Sequence, residues 1–356
     1  MYRDPILFRV DGTSRSGWER LSRCLMLAAA LQRRRRPTYF LSRLEPASLA
    51  LGIKRAGNEW LEADADSGTG EDLDEVIHEV RRLRPAAVIV DSADADEDYL
   101  RALKSTGVLL VSIDHLANTR LPSRLVINPL LGPGRDSFAF EPGTQLLLGA
   151  RFALVRSEIR RIRPARAQEA PQPFRALVAL GDDDPNRQTG ALALQLAAIS
   201  KIARVDMIVR PQHPDLTSLQ ELAASNPDRL GVAFETADVT ASIARCHVAF
   251  SAGNSWSLEL ACVGVPQLLI VQSEAHWPTA QRLEEEGAGT CLGWHESVSA
   301  QTIRLAVQNV LGDALERQAM ARCGRQLIDG RGPDRLVTAL EILLHPSRQI
   351  ALSQAA

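Results

Sequence analysis

The chain has 356 residues, of which 45% are apolar and 24% charged, with a formal net charge of −2. This length predicts two domains, the composition excludes a disordered chain, and the near-neutral charge gives no basis for nucleic acid or an anionic membrane as principal partner. No run of eighteen apolar residues and no signal-peptide pattern occurs, so a cytoplasmic protein without a transmembrane segment is expected.

Strand-like runs appear first at ILFRV (6–10), PTYFLS (37–42), AAVIVDS (86–92), GVLLVSID (107–114) and RLVIN (124–128). Helical patterns at 18–32, 71–83 and 96–105 separate them. Short apolar runs alternating with amphipathic helices predict a parallel sheet covered on both faces. The polar, proline-bearing stretch RRIRPARAQEAPQP then interrupts the pattern. After it the alternation restarts with RALVALG (175–181), RVDMIVR (204–210), GVAFET (231–236), HVAFSAG (247–253) and PQLLIVQ (266–272). The expected division is a Rossmann-like domain over 1–160, a linker over 161–173, a second Rossmann-like domain over 174–345 and a tail over 346–356. Two doubly wound α/β domains of this kind predict a ligand cleft bordered by the carboxyl ends of both sheets.

Three loops are placed at those ends. In the first, Asp11 ends a strand and is followed by Thr13, Ser14, Arg15 and Gly17, with Glu19 and Arg20 opening the next helix. Arginines beside a helix start suit phosphate or carboxylate recognition, whereas Arg20 on an amphipathic helix also reads as a surface charge. In the second, Gly181 and Asp182 precede Asp184-Pro185, which reads as an N-cap followed by proline at the first helical position. In the third, SAGNSWSLELACVGVP (251–266), Gly253 permits a tight turn and Asn254 and Ser255 stand at a helix start. Free N–H groups and the helix dipole there favour an anion such as a diphosphate. Glu259, about one turn later, could accept hydrogen bonds from a ribose diol, or be a solvated helix residue.

His115, after the strand VLLVSID and beside Asp114, could serve as a general base, and His276 follows another strand closely. The basic run QRRRRP (32–37) reads as a solvated helix end, with attraction to anionic lipid as a lesser alternative. The five cysteines lie in no zinc or C-x-x-C spacing and read as packing residues, and nothing in the sequence requires a metal or a cofactor.

Taken in order, LFRVDGTSRSGWERLSRCLMLA, AAVIVDS, VLLVSID, LLLGARFALVRSEI, VALGDDDPN and SAGNSWSLELACVGVP resemble the nucleotide-sugar hydrolase family of the pseudaminic acid pathway. That family removes UDP from a 2,4-diacetamido-2,4,6-trideoxy sugar and is related to the transferase that adds N-acetylglucosamine to the peptidoglycan lipid precursor. The resemblance spans roughly residues 5–340 and implies a GT-B fold, a nucleotide-sugar substrate held mainly by the second domain, and a last helix that returns to the first. It matches Gly253, Ser255 and Glu259 to the nucleotide site, and Asp11, Ser14, Gly17, Arg23 and Cys24 to the family's opening segment. The family places Gly-His where this chain has Glu19-Arg20, and its histidine is the proposed base. It also favours Gly-Gly-Ser-Asp-Pro where this chain has Gly181-Asp182-Asp183-Asp184-Pro185, and a glutamine of its sugar-facing loop is replaced near His276 here. The expectation is therefore a hydrolase with its base moved to His115, Glu19 or Asp11. A glycosyltransferase and a non-catalytic nucleotide-sugar binder in surface-glycan or flagellin-glycan synthesis are the alternatives. The sequence does not fix the oligomeric state.

Overall fold

A computed structural model describes residues 3–181, 184, 186–234 and 236–345. It divides the chain into two compact units, residues 1–154 with 331–356, and residues 155–330. The division falls at 154/155 rather than at the proline-bearing stretch, so the segment expected to be a linker, 161–173, lies inside the second unit.

In the first unit, β1 (Ile6–Arg9), α1 (Trp18–Arg33), β2 (Thr38–Ser42), α2 (Leu49–Arg55), β3 (Glu59–Glu62), α3 (Gly70–Leu83), β4 (Ala87–Val90), α4 (Glu97–Ser105) and β5 (Leu109–Ile113) alternate. They are followed by β6 (Arg120–Leu121), β7 (Leu125–Asn128), β8 (Ala139–Phe140) and β9 (Gln145–Leu148). The main sheet is all parallel, in the order β3-β2-β1-β4-β5-β7-β9, with β6 and β8 forming a separate small pair. Alternate residues of each strand feed opposite cores. Ile6, Phe8, Ile89 and Ile127 face α1, while Leu7, Val88, Val90 and Val126 pack with Val76, Tyr99 and Leu100 of α3 and α4. The central strands β1, β4, β5 and β7 are buried on both faces, which is why they read as largely apolar runs.

The second unit repeats the plan. It contains α5 (Ser157–Arg161), β10 (Arg175–Ala179), α6 (Thr189–Ala197), β11 (Arg204–Ile208), α7 (Leu216–Ser225), β12 (Leu230–Ala233), α8 (Thr236–Arg245) and β13 (Val248–Ser251). The unit continues with α9 (Ser255–Val263), β14 (Gln267–Val271), α10 (Trp277–Glu285), β15 (Thr290–Trp294), α11 (Ala300–Gly312) and α12 (Ala314–Leu327). Its parallel sheet runs β12-β11-β10-β13-β14-β15. In both sheets the winding reverses direction once, between β1 and β4 and between β10 and β13. Ligands of open parallel sheets bind outside the carboxyl ends of the strands at such a reversal.

The last helix, α13 (Gly332–Leu344), belongs to the first unit and packs on α1. Its seat corrects the reading of QRRRRP as a solvated helix end. Arg36 is 2% exposed and grips Glu341 of α13 with two hydrogen bonds of 2.7 and 3.0 Å. Arg33 reaches Asp334 at 2.8 Å, so two of the four arginines, one at the end of α1 and one just after it, bind α13. Burial opposes the charge of Glu341, but Arg36 and Arg3 outweigh it and pull the carboxyl below its ordinary value.

Candidate functional site

The residues expected to carry chemistry fall into two groups, one at the carboxyl edge of each sheet. In the first unit, β1 leads into a loop locked by hydroxyls. Thr13 N–H donates to Ser16 Oγ at 3.0 Å and Ser16 N–H to Thr13 Oγ1 at 3.1 Å, while Gly17 at φ +75° turns the chain into α1. Only glycine takes that backbone conformation without strain. Ser14 is exposed, and Arg15 extends over the surface to Asp66 at 3.2 Å and Asp94 at 3.8 Å.

Arg20 and Arg23 lie three residues apart on α1 and so share a face. Both reach Asp91, the residue immediately after β4. Arg23 grips it with a bidentate pair, Nε to Oδ2 and the second guanidinium nitrogen to Oδ1, each 2.5 Å, and Arg20 approaches Oδ1 at 3.5 Å. Burial disfavours the Arg23 charge, but Asp91 more than offsets that cost and holds the guanidinium above its usual value. Arg20 has the opposite balance, with burial outweighing Asp91 and lowering it, although a guanidinium stays protonated at neutral pH. Two cations thus face one carboxylate. Cys24 lies 3.5 Å from the same carboxylate, and burial pushes its thiol well above the usual range, so it is no nucleophile.

The surroundings of the expected bases change how each can act. Asp11 is 4% exposed, and each of its oxygens accepts two hydrogen bonds. One accepts from Arg9 and the N–H of Arg43, the other from Arg9 and the N–H of Ser67. Arg9, fully buried, spends its other donors on Asp72 and on the carbonyls of Leu41 and Ala65. This is a structural brace beneath the loop, and it leaves Asp11 without capacity as a base. His115 Nδ1 lies 3.1 Å from an Arg23 nitrogen. Arginine only donates, so Nδ1 accepts, and the neutral ring carries its proton on Nε2. In that tautomer Nε2 donates and cannot take a proton. Glu19 is half-buried in the first turn of α1, next to Arg20.

The second unit builds its edge differently. Gly253, at φ +80°, brings the chain so close to the next loop that a Cβ would stand 2.6 Å from the His276 carbonyl oxygen. Asn254, 1% exposed, caps α9 by accepting from Trp256 N–H at 3.2 Å and donates to the Leu180 carbonyl at 2.9 Å. That bond ties the loop after β13 to the loop after β10, where Gly181 at φ +145° leaves room for the Asn254 amide. Below them Gly253 N–H donates to Ser257, whose hydroxyl donates to Ser251, which donates to Gln267. Ser255 opens α9, and His276 ends a short turn before α10.

Sequence reasoning missed the neighbouring amide chain. Asn186 donates to Gln272 at 3.0 Å, Gln272 to Gln188 at 3.3 Å, and Gln188 to His295 Nδ1 at 3.2 Å. These residues follow β10, β14 and β15. Asp182, with Asp183 and Pro185, lies outside the described residues. Asp184 does not cap a helix starting at residue 185. Helix α6 starts at Thr189, and Asp184 reaches forward to the N–H groups of Gln188 and Thr189 at 3.1 and 2.8 Å.

Glu259 is also not the solvated residue or the open ribose ligand that its spacing suggests. It is 2% exposed and receives the Arg156 guanidinium and Arg156 N–H at 2.6 to 3.1 Å. The same guanidinium lies 4.4 Å from the Trp256 ring centroid. A ribose hydroxyl could reach this carboxylate only if Arg156 gave way.

Among the described residues no group of His, Cys, Asp and Glu is arranged to hold a metal ion, and no helix is long and apolar enough to cross a membrane.

No family model matches the chain. It is 22% identical over 272 residues to the "Spore coat polysaccharide biosynthesis protein SpsG" of Bacillus subtilis, covering 75% of the chain and 80% of that protein. Over 211 residues it is 31% identical to the UDP-N-acetylglucosamine–N-acetylmuramyl-(pentapeptide) pyrophosphoryl-undecaprenol N-acetylglucosamine transferase of Alkalilimnicola ehrlichii. That match covers 54% of the chain and 55% of the relative, about half of each. The solved structure of the spinosyn rhamnosyltransferase SpnG complexed with thymidine diphosphate superposes with a TM-score of 0.67 at 17% identity, over 95% of this chain and 100% of that one. The fold is GT-B, with two parallel-sheet α/β units.

Proposed function

We propose that the protein is a nucleotide-sugar-dependent glycosyltransferase acting in the synthesis of a surface polysaccharide. One observation carries the reading: at the winding reversal of the second sheet, Gly253 and Asn254 aim the start of α9 out of the carboxyl edge. Backbone N–H groups there favour the diphosphate of a donor without any metal in the first contact. The amides of Asn186, Gln188 and Gln272 on the adjoining loops suit sugar hydroxyls, because each offers both donors and acceptors. Thymidine diphosphate in the SpnG structure, the transferase activity of the 31%-identical relative and the polysaccharide role in the name of the SpsG relative all support this direction.

Transfer is favoured over the hydrolysis first expected by the transferase among the relatives and the rhamnosyltransferase among the solved structures, and of the bases expected for a hydrolase two are already engaged. Asp11 is saturated, and His115 accepts from Arg23. In the proposed scheme Glu19 takes the proton of an acceptor hydroxyl, and Arg20, a permanent cation, stabilises negative charge developing during transfer. The test is to incubate the full chain with UDP-, TDP-, GDP- and CMP-sugars and follow nucleotide release by NMR, with and without saccharide acceptors. Release only with acceptor supports transfer. Release without acceptor restores the hydrolase, and binding without turnover across the panel leaves a donor-binding protein. Glu19→Gln is expected to lower the rate at least about 100-fold while leaving donor affinity within a few-fold.

A further inference from the structure

A cavity in the second unit lies at the opposite end of the sheet from the loops just described. Its volume is about 360 Å³, and His247 and Pro266, the residues before β13 and β14, form part of its wall. The α9 start follows β13, so about 13 Å of strand separates the two places, and one small ligand cannot occupy both. The volume falls in the range of small-molecule sites, roughly 300–1,000 Å³, far above the roughly 30 Å³ share of a single water.

The charge of the lining is one-sided. Arg166, Arg317, Arg322 and Arg325 line it against one carboxylate, Glu169. That carboxylate is already taken by Arg317, through contacts of 2.5 and 3.3 Å. Arg166 is 4% exposed yet meets no carboxylate among the described residues. Its bonds go to the carbonyls of Cys246 at 2.8 Å, Ala244 at 3.4 Å and Gly264 at 3.5 Å, and its Nε has no partner. Arg325 donates to the Arg166 carbonyl at 2.5 Å, while Arg322 is exposed and makes no hydrogen bond or ion pair among the described residues. Arg325 is held below its ordinary value by burial and by the neighbouring cations Arg163 and Arg166. Buried charge without a counter-ion is costly, and a bound anion would supply the missing partner.

We propose that this cavity is a second ligand site, which takes a small anion bearing a phosphate or diphosphate group. Guanidiniums converging from α12 and the segment before β10 provide the forked donors that phosphate oxygens accept. The site is separate from the donor site and holds whether or not the protein is a transferase.

The test is calorimetric titration of the full chain with inorganic pyrophosphate. Arg322→Glu reverses an exposed lining charge and is expected to weaken binding at least about tenfold without moving the thermal midpoint of the free protein. Gln318→Glu, on the same wall, is expected to do the same if the first variant misfolds. Ser255→Asp, which places a carboxylate at the α9 start, is expected to leave this binding intact. Unchanged binding in both wall variants would overturn the proposal, as would loss of binding in Ser255→Asp alone or no binding by the wild type. Binding of hexaglutamate in place of pyrophosphate would also overturn it, in favour of a surface for acidic peptides.

Discussion

The carboxyl edges of the two sheets sit at the same topological position and are built from opposite chemistry. In the first unit the edge is dense with buried charge: Arg9 braces Asp11 and Asp72, and Arg23 and Arg20 converge on Asp91. In the second, the contacts described between the corresponding loops run mainly through glycine, asparagine, serine and glutamine in neutral hydrogen bonds, and the buried Asp184 carboxylate is met by backbone N–H groups rather than by a cation. The lesson is one of commitment. Ion pairs satisfied inside the fold fix where α1 stands and leave few groups to spare, whereas an edge of backbone N–H groups and amides keeps donors available to a ligand. The first edge is therefore expected to respond to mutation mainly in stability, and the second mainly in binding.

That contrast can be broken at four places, taken from the largest effect downward. Asp91→Ala strands two cations, one of them 2% exposed, and should cost about 3–5 kcal/mol in urea unfolding. A loss below about 1 kcal/mol would mean the first edge is not held by that carboxylate. Gly253→Val drives a side chain toward the His276 carbonyl at a left-handed φ, with a predicted stability loss of about 3 kcal/mol. Nucleoside diphosphate affinity measured on its folded fraction should fall at least about tenfold, and unchanged affinity would remove α9 from the site.

Arg36→Met, at the clamp on α13, should cost about 2 kcal/mol at neutral pH. The effect has a definite pH sign. Because Glu341 is held below its ordinary value of 4.5, the clamp contributes fully above that pH and is lost as pH falls through the folded value. Wild type and variant should therefore converge in stability in acid, and a gap that widens on acidification would contradict the ion pair. Arg15→Ala, at a side chain 71% exposed, should change stability by less than about 0.5 kcal/mol. A larger effect would show that the opening loop depends on its surface pairs.

Much of the fold was legible in the sequence because a strand buried on both faces must be apolar along its whole length. The runs at β1, β4, β5, β10, β13 and β14 carry that signature. The third strand, Glu59–Glu62, was not read, since its ends are charged and exposed, nor was β9 after a long irregular stretch. The α9 start was legible because Gly-Asn-Ser before an apolar helix is a local signal. Asp91 and Arg156 were not. Their meaning comes from partners 68 and 103 residues away, which no local window contains, although a carboxylate closing the run AAVIVD could have raised suspicion. The arginines of QRRRRP were misread for the same reason, their partners on α13 being about 300 residues distant.

The central claim, that a nucleotide-sugar donor binds at the carboxyl edge of the second sheet, is tested most directly by hydrogen–deuterium exchange with and without saturating nucleoside diphosphate. Slowed exchange in residues 252–258 and 272–277, with little change in 11–24, is the predicted result. Protection confined to 11–24, or absent from both regions despite measured binding, would contradict it.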